Sequence, residues 1–392
     1  MAKLKTNLDV SESRLALLDG LLADAGFDPA AFRGEIHPKD EMYHNTVGKV
    51  KPTDAAYLGY LTSGFRSYCM CEQITAALFG GIDKSGNFLE FASGHGRLTR
   101  FLVDRMPEGK LWVSDIYESA MEFQTAYFGV NTIQSVPDPE DLHADTRFDV
   151  ILAGSLFTHL PDALFAKWLA KLGSLLTPQG VLFFSVRLDY SNVGPLAIGE
   201  MPDSGILFTT QTESDTLSTE IYGRTVVSEA YLTKAVQQAL GSDKQMRVYR
   251  KALYENQDLV AVAASAHTDL SKMELRPVPF AASQGGLVKP EAPGQAEFHG
   301  WGIELTEGCR IKHAILQRDG QQMDTVKVEW AGHERVRKFF PGTKNPSQHF
   351  VVQVPMEWFD QGSVVSVRLP STSGQEITVF LDPASISTKV DQ

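Results

Sequence analysis

The chain has 392 residues, 43% of them hydrophobic and 21% charged, with a formal net charge of −12. This is the composition of a globular protein with room for two or three domains, and the acidic balance without a basic stripe argues against a nucleic-acid substrate, while leaving room for a local positive patch. Three cysteines (Cys69, Cys71, Cys309) provide neither a disulfide framework nor a zinc quartet, and no stretch has the apolar length of a signal core or membrane span, so a cytoplasmic protein is expected.

Residues 11–26 predict an amphipathic helix with Leu15, Leu18, Leu21 and Leu22 on its apolar stripe and Gly26 past its end. Asp40 and Glu41 follow in a polar loop, where two adjacent acids read as solvated surface; no metal site is expected. Tyr57 to Leu78 reads as one or two helices, with Cys69 and Cys71 as small apolar residues and a break at Gly64. Then comes strand Phe88–Phe91, the turn Ser93-Gly-His-Gly96, a helix over Arg97–Met106, and a second strand from Leu111 ending at Asp115. A helix over Ser119–Phe128 and a strand over Thr132–Ser135 continue the alternation, followed by an acidic, solvated loop from Asp138 to Asp145. The apolar runs Phe148–Ala153 and Val181–Val186 suit buried strands of a doubly wound sheet, with a helix between them opened by Pro161. Arg187 to about Asp215 is rich in glycine and proline and reads as an insertion over the site. A helix capped by Ser228 follows, and then Gln245–Leu253 with Asp258–Ala263 as an antiparallel edge pair.

Residues 267–298 carry four prolines and read as a linker. Beyond it, short alternating runs (Trp301–Leu305, Arg310–Leu316, Thr325–Trp330, His349–Val354, Val364–Leu369, Ile377–Leu381) predict an all-β sandwich. The expected domains are a helical segment at 1–80, an α/β domain at 81–266, the linker, and the sandwich at 299–392.

The chemistry is concentrated in Asn87–Asp115. A strand, glycine turn and helix followed by an acid at the end of the next strand suits a nucleotide-sized ligand. A dinucleotide fingerprint requires a third glycine where Thr99 stands. Glu90, within the first strand, would repel a pyrophosphate but can face the ammonium of a methionine moiety.

Glu90-Phe-Ala-Ser-Gly-His-Gly-Arg97, Val113-Ser-Asp115, Phe148–Leu152 and Leu176–Phe183 together resemble a class I S-adenosylmethionine-dependent methyltransferase. Gly154–Pro161, Tyr222-Gly-Arg and Gln257-Asp-Leu are similar to a bacterial branch acting on small molecules and glycans. The resemblance implies a Rossmann-like sheet. It places Glu90, Ala92, Gly94 and Gly96 on the methionine side of S-adenosylmethionine, Asp115 on its ribose, and Ile116, Ser135, Val136 and Asp138 by its adenine. Ser155 would face the transferring methyl, and Tyr57, Ser63 and Gly64 would close over the methionine carboxylate. Ala92 replaces the family's first glycine and is expected to fit only with a negative φ.

The expected reaction is O-methylation of a small molecule or saccharide. The rival readings are a binding protein acting through its sandwich and an NAD-dependent oxidoreductase. His159, past the fourth strand, is the candidate general base; its bland role is to buttress the loop by bonding backbone. His95 either donates to the cofactor or faces solvent. Arg97 reads as a helix-start residue pairing an acid, and Arg187, Asp189 and Tyr190 as substrate-side or loop residues. Trp301, Trp330 and Trp358 read as core or as a sugar-stacking platform. No nucleic-acid or membrane partner is expected, and a homo-oligomer through the C-terminal domain fits the sequence.

Overall fold

A computed structural model describes residues 3–44, 53–192, 197–212, 214, 216–253, 257–273, 287–288, 294–302, 311–330, 348–360, 363–370, 372 and 376–381. Two compact units emerge: residues 1–36, 46–62 and 276–392, and residues 37–45 and 63–275.

Helix α1 (Glu12–Asp24) buries Leu18 and Leu22, and Gly26, at φ +79°, ends it as expected. A single turn, α2 (Glu41–Tyr43), is capped by Asp40, whose carboxylate accepts from the Tyr43 N–H at 3.1 Å. Helix α3 (Thr53–Phe79) runs unbroken through Gly64. The break expected there does not occur. That glycine answers to packing: a Cβ on it would lie 2.2 Å from the Arg97 carbonyl oxygen.

Strand β1 (Phe88–Phe91) leads through the glycine turn to α4 (Thr99–Leu102), shorter than the Arg97–Met106 helix expected. Hydrogen-bonded turns extend it to Met106, and Pro107 ends the segment, because a residue before proline is disfavoured in helix. Strand β2 (Leu111–Asp115) and α5 (Glu118–Phe123) follow. A π-turn over Gln124–Phe128 completes the segment expected as helix and carries Gln124 inward. Then come β3 (Asn131–Gln134), β4 (Phe148–Ala153) and α6 (Asp162–Ser174). Strand β5 (Leu176–Val186) begins earlier than the run at Val181, taking in Thr177–Gly180. A hairpin of β6 (Ile206–Thr209) and β7 (Arg224–Val227) sits in and after the loosely patterned insertion. Helix α7 (Glu229–Leu240), capped by Ser228, and strands β8 (Met246–Leu253) and β9 (Gln257–Ala263) close the unit of residues 37–45 and 63–275, whereas α1 and the start of α3 belong to the other.

The seven-stranded sheet has the order β3-β2-β1-β4-β5-β9-β8. The first five strands are parallel; β9 runs antiparallel to β5, and β8 antiparallel to β9 at the edge. Strand order reverses between β1 and β4, so the crevice outside their carboxyl ends is where a ligand fits such a sheet. Phe165, Trp168, Leu169 and Leu172 of α6 and Leu232 and Val236 of α7 pack with Ile151, Phe184 and Val260 of the sheet in one apolar core.

In the other unit, β10 (Leu287–Val288) and β11 (Gln295–Gly302) lie wholly or partly within the stretch read as linker. They join β12 (His313–Arg318), β13 (Gln321–Lys327), β14 (Glu329–Trp330), β15 (Gln348–Pro355), the short helix α8 (Met356–Asp360), β16 (Val365–Pro370) and β17 (Glu376–Phe380). Two antiparallel sheets result, β10-β11-β15-β14 and β13-β12-β16-β17. Phe298, Phe350, Val352 and Val354 from one and Ala314, Leu316, Val365, Val367 and Leu369 from the other share a single core, which is a sandwich. Trp358 belongs to that core, with the Arg318 guanidinium 5.5 Å from its ring centre. The side chains of Trp301 and Trp330 lie outside the described residues.

Candidate functional site

The chain leaves β1 through a strained turn. Ala92 takes φ +59°, against the expectation of a negative φ, and Gly94 and Gly96 take +56° and +86°. A side-chain-bearing residue in the left-handed region costs on the order of 1–3 kcal/mol and persists where its surroundings hold it. Gly96 has no alternative: a Cβ there would lie 2.4 Å from the Phe128 ring. Gly94 differs, because a Cβ on it would meet nothing within 4 Å. Its N–H donates to Asp115 Oδ2 at 2.7 Å, and the Tyr117 N–H donates to Oδ1 at 3.1 Å. The end of β2 is thereby stitched to the turn. Burial pushes the Asp115 carboxyl up, and the N–H groups of Tyr117, Gly94 and Ile116 pull it back.

Glu90 is buried behind this turn, with Thr99 Oγ1 2.8 Å from its Oε2. Burial pushes its carboxyl up to about 8; Arg97 opposes the shift and Asp115 adds to it. Next to Asp115, the Ser135 N–H donates to the Asp115 carbonyl at 2.9 Å, so the end of β3 adjoins the end of β2. Ser135 is buried, while Ile116 and Val136 are half-buried. Asp138 is committed elsewhere: its carboxylate caps Glu140 and meets Lys167 at 3.3 Å. On α3, Ser63 is half-buried and Gly64 abuts Arg97. Tyr57 donates its hydroxyl to the Gly34 carbonyl at 2.7 Å within the other unit.

At the end of β4, Ser155 also takes a positive φ, +60°. Its N–H donates to Ser185 Oγ at 2.7 Å, Ser185 donates to Gln257 Oε1 at 2.6 Å, and Gln257 Nε2 donates to Ser155 Oγ at 2.8 Å. This ring ties β4, β5 and β9 together. His159 is buried, with Nδ1 2.6 Å from the Gly223 carbonyl and its ring stacked 4.5 Å from Tyr222. The backbone contact expected of a buttress is therefore present, and it also sets the tautomer: a carbonyl accepts only from Nδ1–H. His95 does not face solvent. It is 4% exposed and stacks on His37 at 4.5 Å, and burial lowers its pKa to about 4, with Asp40 opposing and His37 adding. Asp40 and Glu41 are not a solvated pair either. Asp40 is 1% exposed, and Glu41 Oε2 accepts from the Tyr117 hydroxyl at 3.0 Å. Among the described residues no group of three or more metal-type side chains gathers. Asp189 is exposed, whereas Tyr190 donates to the buried Asp258.

The profile of a family described as a methyltransferase domain matches residues 63–236. Residues 63–236 are a methyltransferase domain. No curated protein matches the chain. Among solved structures, the DhpI–S-adenosylhomocysteine complex is 16% identical, with 58% of this chain and 96% of that one covered and a TM-score of 0.38. The glycopeptide N-methyltransferase MtfA with S-adenosylhomocysteine is 18% identical, over 45% and 81%, at 0.31. An S-adenosylmethionine-dependent methyltransferase from Clostridium acetobutylicum is 14% identical, over 52% and 92%, at 0.36.

S-adenosylmethionine is the cofactor expected of the methyltransferase domain. Its residues suit that molecule: the open face of Gly94 leaves backbone for close approach, flanked by the buried carboxyls of Glu90 and Asp115. Three contributors were not singled out as site residues from the sequence. Gln124 reaches the turn only through the π-turn, donating to Ser93 Oγ and the Gly94 carbonyl, each at 2.8 Å. Gln257 carried one signal, an amide at the head of an apolar strand. The joining of Glu41 with Tyr117 and Ser214 had none, the three being far apart in sequence.

Proposed function

We propose that the methyltransferase domain binds S-adenosylmethionine along the carboxyl ends of β1, β2 and β4 and transfers its methyl group to a hydroxyl of a small molecule or saccharide. In this reading Glu90, Ala92, Gly94 and Gly96 form the methionine side, with Ser63 and Gly64 of α3 behind the turn. Asp115 takes the ribose hydroxyls, and Ile116, Ser135 and Val136 flank the adenine. The observation that carries it is the stitching of Gly94 to Asp115 beside open space, which brings a bare backbone and a carboxylate to one edge. Asp138 and Tyr57 are left out, because their polar groups are bonded to Lys167 and Gly34.

The sulfonium supplies the activated methyl; the protein has to align the acceptor and remove its proton. With Nδ1–H held by Gly223, a neutral His159 presents its lone pair at Nε2, the arrangement a base requires. Ser155, whose hydroxyl accepts from Gln257, keeps its own proton to donate.

Calorimetry with S-adenosylmethionine, S-adenosylhomocysteine and NAD tests the site; binding of NAD alone would sink the reading. A hydroxyl-acceptor screen tests the chemistry. His159→Ala should lower turnover by roughly 10²–10⁴-fold while cofactor affinity holds. Full turnover in that variant would leave His159 as a buttress only.

A further inference from the structure

One hydrogen-bond chain behind the glycine turn has a single consistent direction. It runs from Glu90 to Thr99, Gln124, Ser93 and the Ser114 carbonyl. The amide of Gln124 is oriented by the Gly94 carbonyl, 2.8 Å from Nε2, because a carbonyl can only accept. Its second amide proton goes to Ser93 Oγ at 2.8 Å, and Ser93 in turn donates to the Ser114 carbonyl at 3.3 Å. Gln124 Oε1 therefore faces Thr99 Oγ1, 2.7 Å away, and can only accept. Thr99 has one hydroxyl proton, and Gln124 takes it. The remaining contact, 2.8 Å between Thr99 Oγ1 and Glu90 Oε2, then joins two oxygens with no proton between them unless Glu90 supplies it. Thr99 and Gln124 are fully buried and Glu90 is 6% exposed, so solvent does not relieve the pair.

We propose that Glu90 is a neutral carboxylic acid in the cofactor-free protein and gives up its proton to solvent when the cationic cofactor binds. This rests on the assignment of the methionine side to Glu90 made above. The groups around the carboxyl agree. Burial is the main influence and favours the neutral form, and Asp115 at the end of β2 favours it too. The thiol of Cys71 on α3, itself pushed up by burial, contributes no opposing charge. Arg97 in the turn and Arg100 on α4 pull the other way without offsetting burial. The hydroxyl of Thr99 would oppose it only by pointing its proton at Glu90, and that proton is committed to Gln124. An ammonium and a sulfonium arriving at this edge reverse the balance, since a nearby positive charge favours the carboxylate. The neutral acid and its conjugate base differ by one proton, which passes to buffer. No other bond changes.

The test is titration calorimetry of the full chain with S-adenosylmethionine at pH 6 to 7, repeated in buffers of different ionisation enthalpy. Wild type should release close to one proton more per cofactor than Glu90→Gln, in which the amide imitates the neutral acid and still donates to Thr99. The ligand's own ammonium titrates equally in both. Wild-type affinity should rise by up to tenfold per pH unit relative to the variant. Equal proton release with binding intact would overturn the proposal. No binding at all would instead remove the cofactor assignment. The protonation state is then still read by the infrared difference between wild type and Glu90→Gln without ligand: a carboxylic-acid carbonyl band is expected, and its absence at pH 6 would overturn the proposal.

Discussion

Glu90, in β1, and Ala92, in the turn after it, each cost stability for a different reason. The carboxyl of Glu90 is ordinarily half-ionised near 4.5 and in the fold near 8, so between these values the folded chain holds a proton that the unfolded chain has lost. Stability therefore falls as pH rises through that window. The melting temperature of wild type should drop relative to Glu90→Gln between pH 5 and pH 8; parallel curves would contradict the shift. Ala92→Gly should raise stability by about 1 kcal/mol in denaturant unfolding, because glycine adopts φ +59° without the Cβ penalty. Both residues were legible as site candidates. The protonation of one and the strain of the other were not, because each depends on what the fold packs beside it.

At the scale of elements, α3 and the glycine turn are in steric contact, and Gly64 is the point of contact. Gly64→Ala places a Cβ 2.2 Å from the Arg97 carbonyl, which cannot rotate away as a side chain would. A loss of about 1–3 kcal/mol is expected, together with weaker cofactor binding, since the turn must shift; unchanged unfolding and affinity would contradict this. Sequence periodicity located α3, β1, β2, β4 and the β8–β9 pair to within a few residues. It misjudged Gly64 as a break because a glycine inside a helix reads the same whether it interrupts the helix or admits a neighbour. The π-turn at Gln124–Phe128 was also illegible, being a local rewinding of an otherwise helical pattern.

At the scale of the molecule, a parallel sheet with an antiparallel edge and a two-sheet sandwich each have an apolar core of their own. Leu316 is 2% exposed in the sandwich core, and Leu316→Ala should cost about 2–5 kcal/mol in denaturant unfolding. A loss within error would mean that the sandwich core is not packed as described. No helix among the described residues is long and apolar enough to cross a membrane. The stretch read as linker was identified from its prolines, yet β10 and β11 draw on it, since strand pairing is decided by a partner such as β15, distant in sequence.

The sequence by itself determined the order of strands and helices, the glycine turn between two acids, and the β character of the C-terminal quarter. Those follow from periodicity, turn residues and local charge, which act over a few residues. Tertiary structure alone decided which polar groups meet: Gln124 with Thr99 and Ser93, Gln257 with Ser155, His159 with Gly223, and Glu41 with Tyr117. It also paired Tyr57 with the Gly34 carbonyl and Asp138 with Lys167. The physical reason is that hydrogen-bond direction and burial are properties of neighbours in space, and those neighbours lie as many as a hundred residues apart in the chain.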